Sequence, residues 1–175
     1  MTKALFLDRD GVINKDLGYV GTVERFIFND SIVDLLRYFS DQGYLIFVVT
    51  NQSGIARGYY TEQQMLLLHK HMTYKFLQQG IIITDIKYCP HLPSCNCGCR
   101  KPAPGMIKEL IDKYNLCANK SIMVGDKRSD IEAGLNAGLK RNVLISQYEP
   151  FSSDIVLRFN NLTEYLTFLV SGKNM

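Results

Sequence analysis

Two aspartates stand one residue apart in Asp8-Arg9-Asp10-Gly11-Val12, directly after the apolar run Lys3-Ala4-Leu5-Phe6-Leu7. Crowding two carboxylates costs several kcal/mol unless something offsets the repulsion. A hard divalent cation is the natural partner, since Mg²⁺ takes carboxylate and carbonyl oxygens and keeps several waters. Alternation along an extended strand end would turn Asp8 and Asp10 the same way, with Arg9 opposite. Three further stretches carry chemistry. Thr50-Asn51-Gln52-Ser53-Gly54-Ile55-Ala56-Arg57-Gly58 follows another apolar run. Its hydroxyls, amides, backbone N–H groups and the Arg57 fork suit an anion such as phosphate. Arg100-Lys101-Pro102 sets two cations side by side. Asp126-Lys127-Arg128-Ser129-Asp130 closes the apolar stretch Ser121–Gly125 with more acids. Where parallel strands end, their loops meet at one rim. Asp126 is therefore expected to join Asp8 and Asp10 at one cation, with Lys101 or Lys127 reaching a phosphate.

Between Gly58 and Arg100 lies Cys89-Pro90-His91-Leu92-Pro93-Ser94-Cys95-Asn96-Cys97-Gly98-Cys99. Four thiols and an imidazole within eleven residues exceed what one tetrahedral Zn²⁺ needs. With ligands to spare and no acidic base in the loop, a structural zinc is expected rather than a catalytic one. It would staple a segment of about residues 89–99 that lacks any apolar periodicity. The staple runs straight into Arg100 and Lys101, giving both a rigid mount. Cys117 lies outside and reads as a core or helix thiol. His69 and His71 are two residues apart and share no helical face, so both read as ordinary surface or partly buried histidines.

Elements that could position these residues follow from the hydrophobic pattern. Short apolar runs near 3–7, 44–49, 84–88, 121–125, 142–146 and, more weakly, 154–158 read as strands. Amphipathic stretches near 30–42, 61–79, 104–115, 129–138 and 161–170 read as helices. Their alternation implies βαβ units and a parallel sheet. Thr61 with Gln64, and Ser129 with Glu132, have capping-box spacing. The loop from Asp8 to about Asn29 is too long for a simple turn, and reads equally as a cover over a site or a structural flap. At 175 residues, 46% apolar and 21% charged, the chain fits one domain over 1–175. A formal charge of +3 gives no case for nucleic acid. No apolar run approaches the ~18 residues of a membrane span. The chain start lacks the series of features of a signal peptide, so a cytoplasmic protein is expected. Residues 147–175 carry no chemical motif.

Together the D-x-D-G strand end, the strand ending in Thr50, Lys101 and the G-D-x-x-x-D at 125–130 resemble the haloacid dehalogenase-like phosphohydrolases over residues 1–138. The resemblance implies a three-layer α/β/α Rossmann-like parallel sheet without a large cap domain. It makes Asp8 the nucleophile that forms an aspartyl-phosphate, and Asp10 the residue that protonates the leaving group and later activates water. Thr50 and Lys101 would hold the transferring phosphoryl. Asp8, Asp126 and the Asp10 backbone carbonyl would bind Mg²⁺. The stretches D-R-D-G-V-I-N, D-x-G-Y-V, T-N-Q-S-G-I-A-R-G and C-P-H…C-x-C-R-K-P narrow the resemblance to the D-glycero-D-manno-heptose 1,7-bisphosphate 7-phosphatase family, which serves nucleotide-activated heptose biosynthesis. By position, its Zn²⁺ ligands fall on Cys89, His91, Cys97 and Cys99, leaving Cys95 as an extra thiol that could compete with Cys97. Its substrate contacts fall on Asp16, Leu17, Gly18, Tyr19, Thr50, Asn51, Gln52, Ser53, Arg100, Lys101 and Lys127. Arg57 suits a second phosphate on the sugar. A monomer acting on a small phosphorylated sugar is implied. Histidinol-phosphate phosphatase is the close alternative, disfavoured by Ser53–Gly58 and Gly18-Tyr19-Val20. A zinc-ribbon-like binding module is the distant one, supported by the ligand cluster alone.

Overall fold

The apolar runs become six parallel strands in the computed structural model, which describes residues 2–148 and 156–172. These are β1 (Lys3–Leu7), β2 (Tyr44–Asn51), β3 (Ile83–Cys89), β4 (Ile122–Gly125), β5 (Arg141–Ile145) and β6 (Val156–Phe159). They line up in the order β3-β2-β1-β4-β5-β6, and every neighbouring pair is parallel. Successive side chains of a strand point to opposite faces, so an apolar run with no polar gap must be covered on both sides. β1 does this directly: Leu5 and Leu7 join one core, Ala4 and Phe6 the other. The first core is closed by α1 (Ile32–Asp41), α2 (Glu62–Leu77) and α5 (Leu162–Val170) through Leu35, Phe39, Phe76 and Tyr165. The second is closed by α3 (Gly105–Tyr114) and α4 (Arg128–Asn136) through Ile107, Leu110 and Ala133. Each fully buried Leu, Ile or Phe contributes about 1.5–3 kcal/mol. The result is the three-layer α/β/α sheet expected from the pattern.

Strand order decides where chemistry can sit. The chain winds outward from β1 through β2 to β3, then returns to the other side of β1 as β4. At such a switch point the loops after the two central strands diverge and leave a crevice at their C-terminal ends. Asp8 leaves β1 and Asp126 leaves β4 at that place.

Differences from the sequence pattern are local. β2 runs through Thr50 and Asn51, so both are strand residues rather than loop residues. β6 starts at Val156; positions 154 and 155 lie outside the described residues. The Thr61–Gln64 capping box forms as expected, with Gln64 N–H to Thr61 Oγ1 at 3.1 Å and Thr61 N–H to Gln64 Oε1 at 2.7 Å. The Ser129–Glu132 box does not form. Instead the helix starts at Arg128, the Asp130 carboxylate accepts the Lys127 N–H at 3.0 Å, and Glu132 pairs with Arg128 at 2.6 Å. Asp130 lies so close over Gly125 that a Cβ there would fall 2.1 Å from the Asp130 Cβ. That packing fixes the helix start. Among the described residues, no helix is long and apolar enough to cross a membrane.

Candidate active site

The end of β1 is pinned to β4 by Asp8 N–H to Val124 O at 3.0 Å. The Asp8 carboxylate then meets Lys101: Nζ lies 2.9 Å from Asp8 Oδ1 and 2.6 Å from Asp130 Oδ1, and donates to Val49 O at 2.7 Å. Burial alone would lower the Lys101 pKa, but Asp130 and Asp8 outweigh it and hold the amine above the ordinary lysine value. Asn51 clamps the backbone of the same residue, accepting Lys101 N–H and donating to Lys101 O, both at 3.1 Å. Asn51, expected as a substrate contact, therefore also mounts the lysine.

Carboxylate oxygens of Asp8, Asp126 and Asp130 lie within 4.8 Å of one another. These three acids outnumber the ammoniums of Lys101 and Lys127, the latter 3.8 Å from Asp126 Oδ2, and a divalent cation would offset the remaining negative charge. Asp126 reports this most directly. Its Oδ1 is buried without a hydrogen-bond partner. Burial, and then the charge of Asp8, push its pKa up to about 8. A buried acceptor with no donor, in an all-oxygen set, fits Mg²⁺. Gly11 makes the space: its φ is +90°, and a Cβ there would lie 2.2 Å from Asp126 Oδ2.

Asp10 sits differently from the expected alternation. The strand stops at Leu7, so the side-chain period stops with it, and Arg9 turns under the sheet edge. Its guanidinium is fully buried and meets Asp10 at 2.9 and 3.1 Å. Asp10 also accepts from Gln52 Nε2 and Asn14 Nδ2, each at 2.9 Å. Arg9 and Asp10 are therefore partners, not opposite faces. The carboxylate of Asp10 stands outside the three-acid cluster. The resemblance gives only its backbone carbonyl to Mg²⁺, and that division is compatible with this geometry. His69 is also corrected: it is buried, with Nε2 3.1 Å from Arg9 Nη1.

Zinc-type ligands converge in the loop after β3. Cys89 Sγ lies 3.5 Å from Cys97 Sγ and 3.1 Å from Cys99 Sγ, with Cys97 and Cys99 3.4 Å apart. His91 Nδ1 lies 3.5 Å from Cys89 and 3.4 Å from Cys99. Three sulfurs and one ring nitrogen gathered this closely match a closed tetrahedral Zn²⁺ set. Cys95 is exposed and outside the group. The loop packs against the start of α3, where Gly105 N–H meets Gly98 O at 3.0 Å. Arg100 donates back to His91 O at 3.2 Å.

Residues 98–146 match a family model described as HAD-hydrolase-like. The D-glycero-alpha-D-manno-heptose-1,7-bisphosphate 7-phosphatase of Campylobacter jejuni is 48% identical over 95% of both chains. The corresponding beta-anomer phosphatase of Haemophilus influenzae is 42% identical over 88% of this chain and 87% of its own. The chain belongs to the D-glycero-D-manno-heptose-1,7-bisphosphate 7-phosphatase family. A crystal structure of D,D-heptose 1,7-bisphosphate phosphatase from B. bronchiseptica, complexed with magnesium and phosphate, superposes with a TM-score of 0.88 at 26% identity, covering 98% of this chain and 100% of that one. Membership of a phosphatase family sets aside the zinc-ribbon-like binding module.

Within this family member, most residues expected to touch substrate share one cleft of about 530 Å³ beside the carboxylates. Asp8, Asp10, Asp16, Gly18, Tyr19, Asn51, Gln52, Ser53, Arg100, Lys101 and Lys127 all line it. The long first loop thus covers the mouth. It is held by Lys127 Nζ to Asp16 Oδ2 at 2.9 Å and by Arg25, which donates to the carbonyls of Leu17, Gly18 and Tyr19. Leu17, Thr50 and Arg57 are not among the lining residues. Leu17 is exposed, and Thr50 is buried with its hydroxyl accepting from Gln52 Nε2 at 2.8 Å. Arg57 lies at the rim, 5.7 Å from the Tyr19 ring. Asp130 stands in the sequence motif at 125–130 but was given no role there, and Tyr60 was not singled out. Asp130 had a signal in the four-residue spacing from Asp126; Tyr60 had none. A larger hollow of about 870 Å³ beside the start of α5 carries Asp30 and Glu164 and, among the described residues, no cation, the wrong charge for a phosphate.

Proposed function

We propose that this protein is a Mg²⁺-dependent phosphatase that removes the 7-phosphate of D-glycero-D-manno-heptose 1,7-bisphosphate through an aspartyl-phosphate. The observation that carries the reading is Asp8 at the switch point, paired with Lys101 and within 4.8 Å of carboxylate oxygens of Asp126 and Asp130. Asp8 attacks phosphorus, forming its O–P bond as the bond to the sugar oxygen breaks. Asp10 gives that oxygen its proton. A water then loses its proton to Asp10 and attacks the phosphorus, releasing inorganic phosphate and restoring Asp8. Phosphoryl transfer needs in-line placement and charge neutralisation above all. Lys101, 2.9 Å from the Asp8 carboxylate, supplies fixed positive charge beside the transferring group. Asp8, Asp126 and the Asp10 carbonyl would hold Mg²⁺, which when bound neutralises phosphoryl oxygens. Cys89, His91, Cys97 and Cys99 would hold Zn²⁺, keeping Arg100 and Lys101 in place. Asp16 to Tyr19, Ser53 and Lys127 contact the sugar phosphate, and Arg57 at the rim suits the second phosphate. A place in the cytoplasm fits the unpaired cysteines, and a single-domain monomer is what the family resemblance implies.

Phosphate release from both heptose bisphosphate anomers and from histidinol phosphate, measured side by side, tests the reading. A heptose bisphosphate is expected to exceed histidinol phosphate in kcat/KM by at least about 100-fold. Asp8→Asn is expected to lose at least about 10³-fold in kcat. Near wild-type turnover by pure Asp8→Asn protein would remove the nucleophile assignment, and a preference for histidinol phosphate would replace the substrate.

A further inference from the structure

The buried face beneath Asp10 holds a connected set of polar groups that the reaction above does not use. Arg9 is fully buried, yet its Nε has no hydrogen-bond partner. One end of its guanidinium, Nη2, meets Asp10, Gln52 Oε1 at 3.2 Å and Val20 O. The other end, Nη1, meets His69 Nε2 at 3.1 Å. A planar fork needs an anchor at both ends to fix its plane. With Nε unbonded, His69 is the anchor at the far end. Arginine can only donate, so His69 Nε2 must accept and its ring proton sits on Nδ1. Burial, and then the neighbouring Arg9 charge, hold its pKa down to about 3, so the ring stays an acceptor.

A parallel chain fixes the other donor to Asp10. Gln52 Nε2 points at Asp10, and its Oε1 accepts from Arg9 and from Tyr60 Oη at 2.5 Å. Both partners of Oε1 are donors, so the amide cannot flip without losing them. Tyr60 is itself slotted between glycines: a Cβ on Gly21 or Gly54 would fall 2.1 or 2.3 Å from its ring. His69 and Tyr60 belong to α2 and the turn leading into it, far in sequence from Asp10.

We propose that His69, acting through Arg9, and Tyr60, acting through Gln52, are positioning residues that hold the Asp10 carboxylate where it exchanges protons with the leaving group and with water. The inference rests on the proposed acid–base role of Asp10. Small displacements of a reacting group cost up to about 100-fold in rate. A role confined to core packing would lower stability without selecting among substrates or replacements.

Three variants separate these cases. His69→Gln keeps a neutral acceptor, His69→Leu removes it, and Tyr60→Phe removes only the hydroxyl. Each is assayed for kcat and KM on a sugar phosphate and on p-nitrophenyl phosphate, whose leaving group departs without a proton. His69→Leu is expected to lose about 10–100-fold in kcat on the sugar phosphate with KM within about twofold, and less on p-nitrophenyl phosphate. His69→Gln should stay within about threefold of wild type. Tyr60→Phe should lose about 3–10-fold, again more on the sugar phosphate, and it keeps the test alive if His69→Leu does not fold. Unchanged kcat in folded His69→Leu or Tyr60→Phe, or an equal loss on both substrates, overturns the proposal. Asp10→Asn run alongside distinguishes the failures. If it keeps wild-type turnover, the acid–base reading has failed; if it alone loses activity, the positioning has.

Discussion

Lys101 concentrates the electrostatics of the site in one side chain. It is 3% exposed and stands between two carboxylates, so neither acid can lose it without being left as a buried, unpaired charge. Removing one member of such a group typically costs about 3–5 kcal/mol. Lys101→Met is therefore expected to lower the unfolding free energy measured by urea titration by an amount in that range, besides losing turnover. A variant as stable as wild type would show that the acids simply take up protons. The contrast with the surface pair Lys87–Glu109 is instructive, since exposed pairs contribute about 0–1 kcal/mol. At this scale the sequence was legible where an acid follows directly on a strand, as Asp8 and Asp126 do. It misled at Arg9, because alternation holds only while the strand persists and β1 ends at Leu7. His69 was illegible for a different reason: its function is to accept one hydrogen bond from a residue 60 positions away, and no local pattern records that.

Elements show the same division between local and distant causes. Among the described residues, the five α-helices and six strands follow from apolar spacing, because each buries a stripe or a face against the sheet. The start of α4 did not follow, since the contact of Asp130 with Gly125 overrode the capping signal at Ser129. The loop after β3 is the extreme case. It has one short helical turn at Pro93–Cys95 and few buried apolar groups, so the four converging ligands are its organising contact. Metal analysis is expected to find one Zn²⁺ per chain. Stripping it with a chelator should lower Tm and cut kcat by loosening Arg100 and Lys101, while leaving Mg²⁺ dependence intact. Cys97→Ser should reproduce the loss, and Cys95→Ser should be silent because Cys95 is exposed and outside the group. Loss of zinc on Cys95→Ser, with Cys97→Ser unaffected, would reverse the ligand assignment.

At the scale of the whole molecule, the strand order makes the site a seam. β3, β2 and β1 bring Asp8 and Thr50; β4, β5 and β6 begin with the strand that brings Asp126. β1 and β4 join the two halves through the register pairs Leu5–Ile122 to Leu7–Val124, with Asp8 N–H to Val124 O just beyond. Just past them carboxylate oxygens of Asp8 and Asp126 lie within 4.8 Å of each other, one from each half. A bound divalent ion would tie the two halves across that gap. Any ligand that binds only the folded state stabilises it, by about 2.7 kcal/mol at 100 times its Kd. Here the stabilisation should have a place as well as a size. Hydrogen exchange with and without Mg²⁺ is expected to slow together at residues 8–11 and 126–130, from opposite sides of the seam, and to leave β6 and α5 unchanged. Asp126→Asn should abolish both effects at once, since a clamp with one jaw holds neither side. Protection on one side alone, or protection that survives Asp126→Asn, would mean that the ion sits on β1 or β4 by itself and that the seam is closed by hydrogen bonds such as Asp8 N–H to Val124 O rather than by metal.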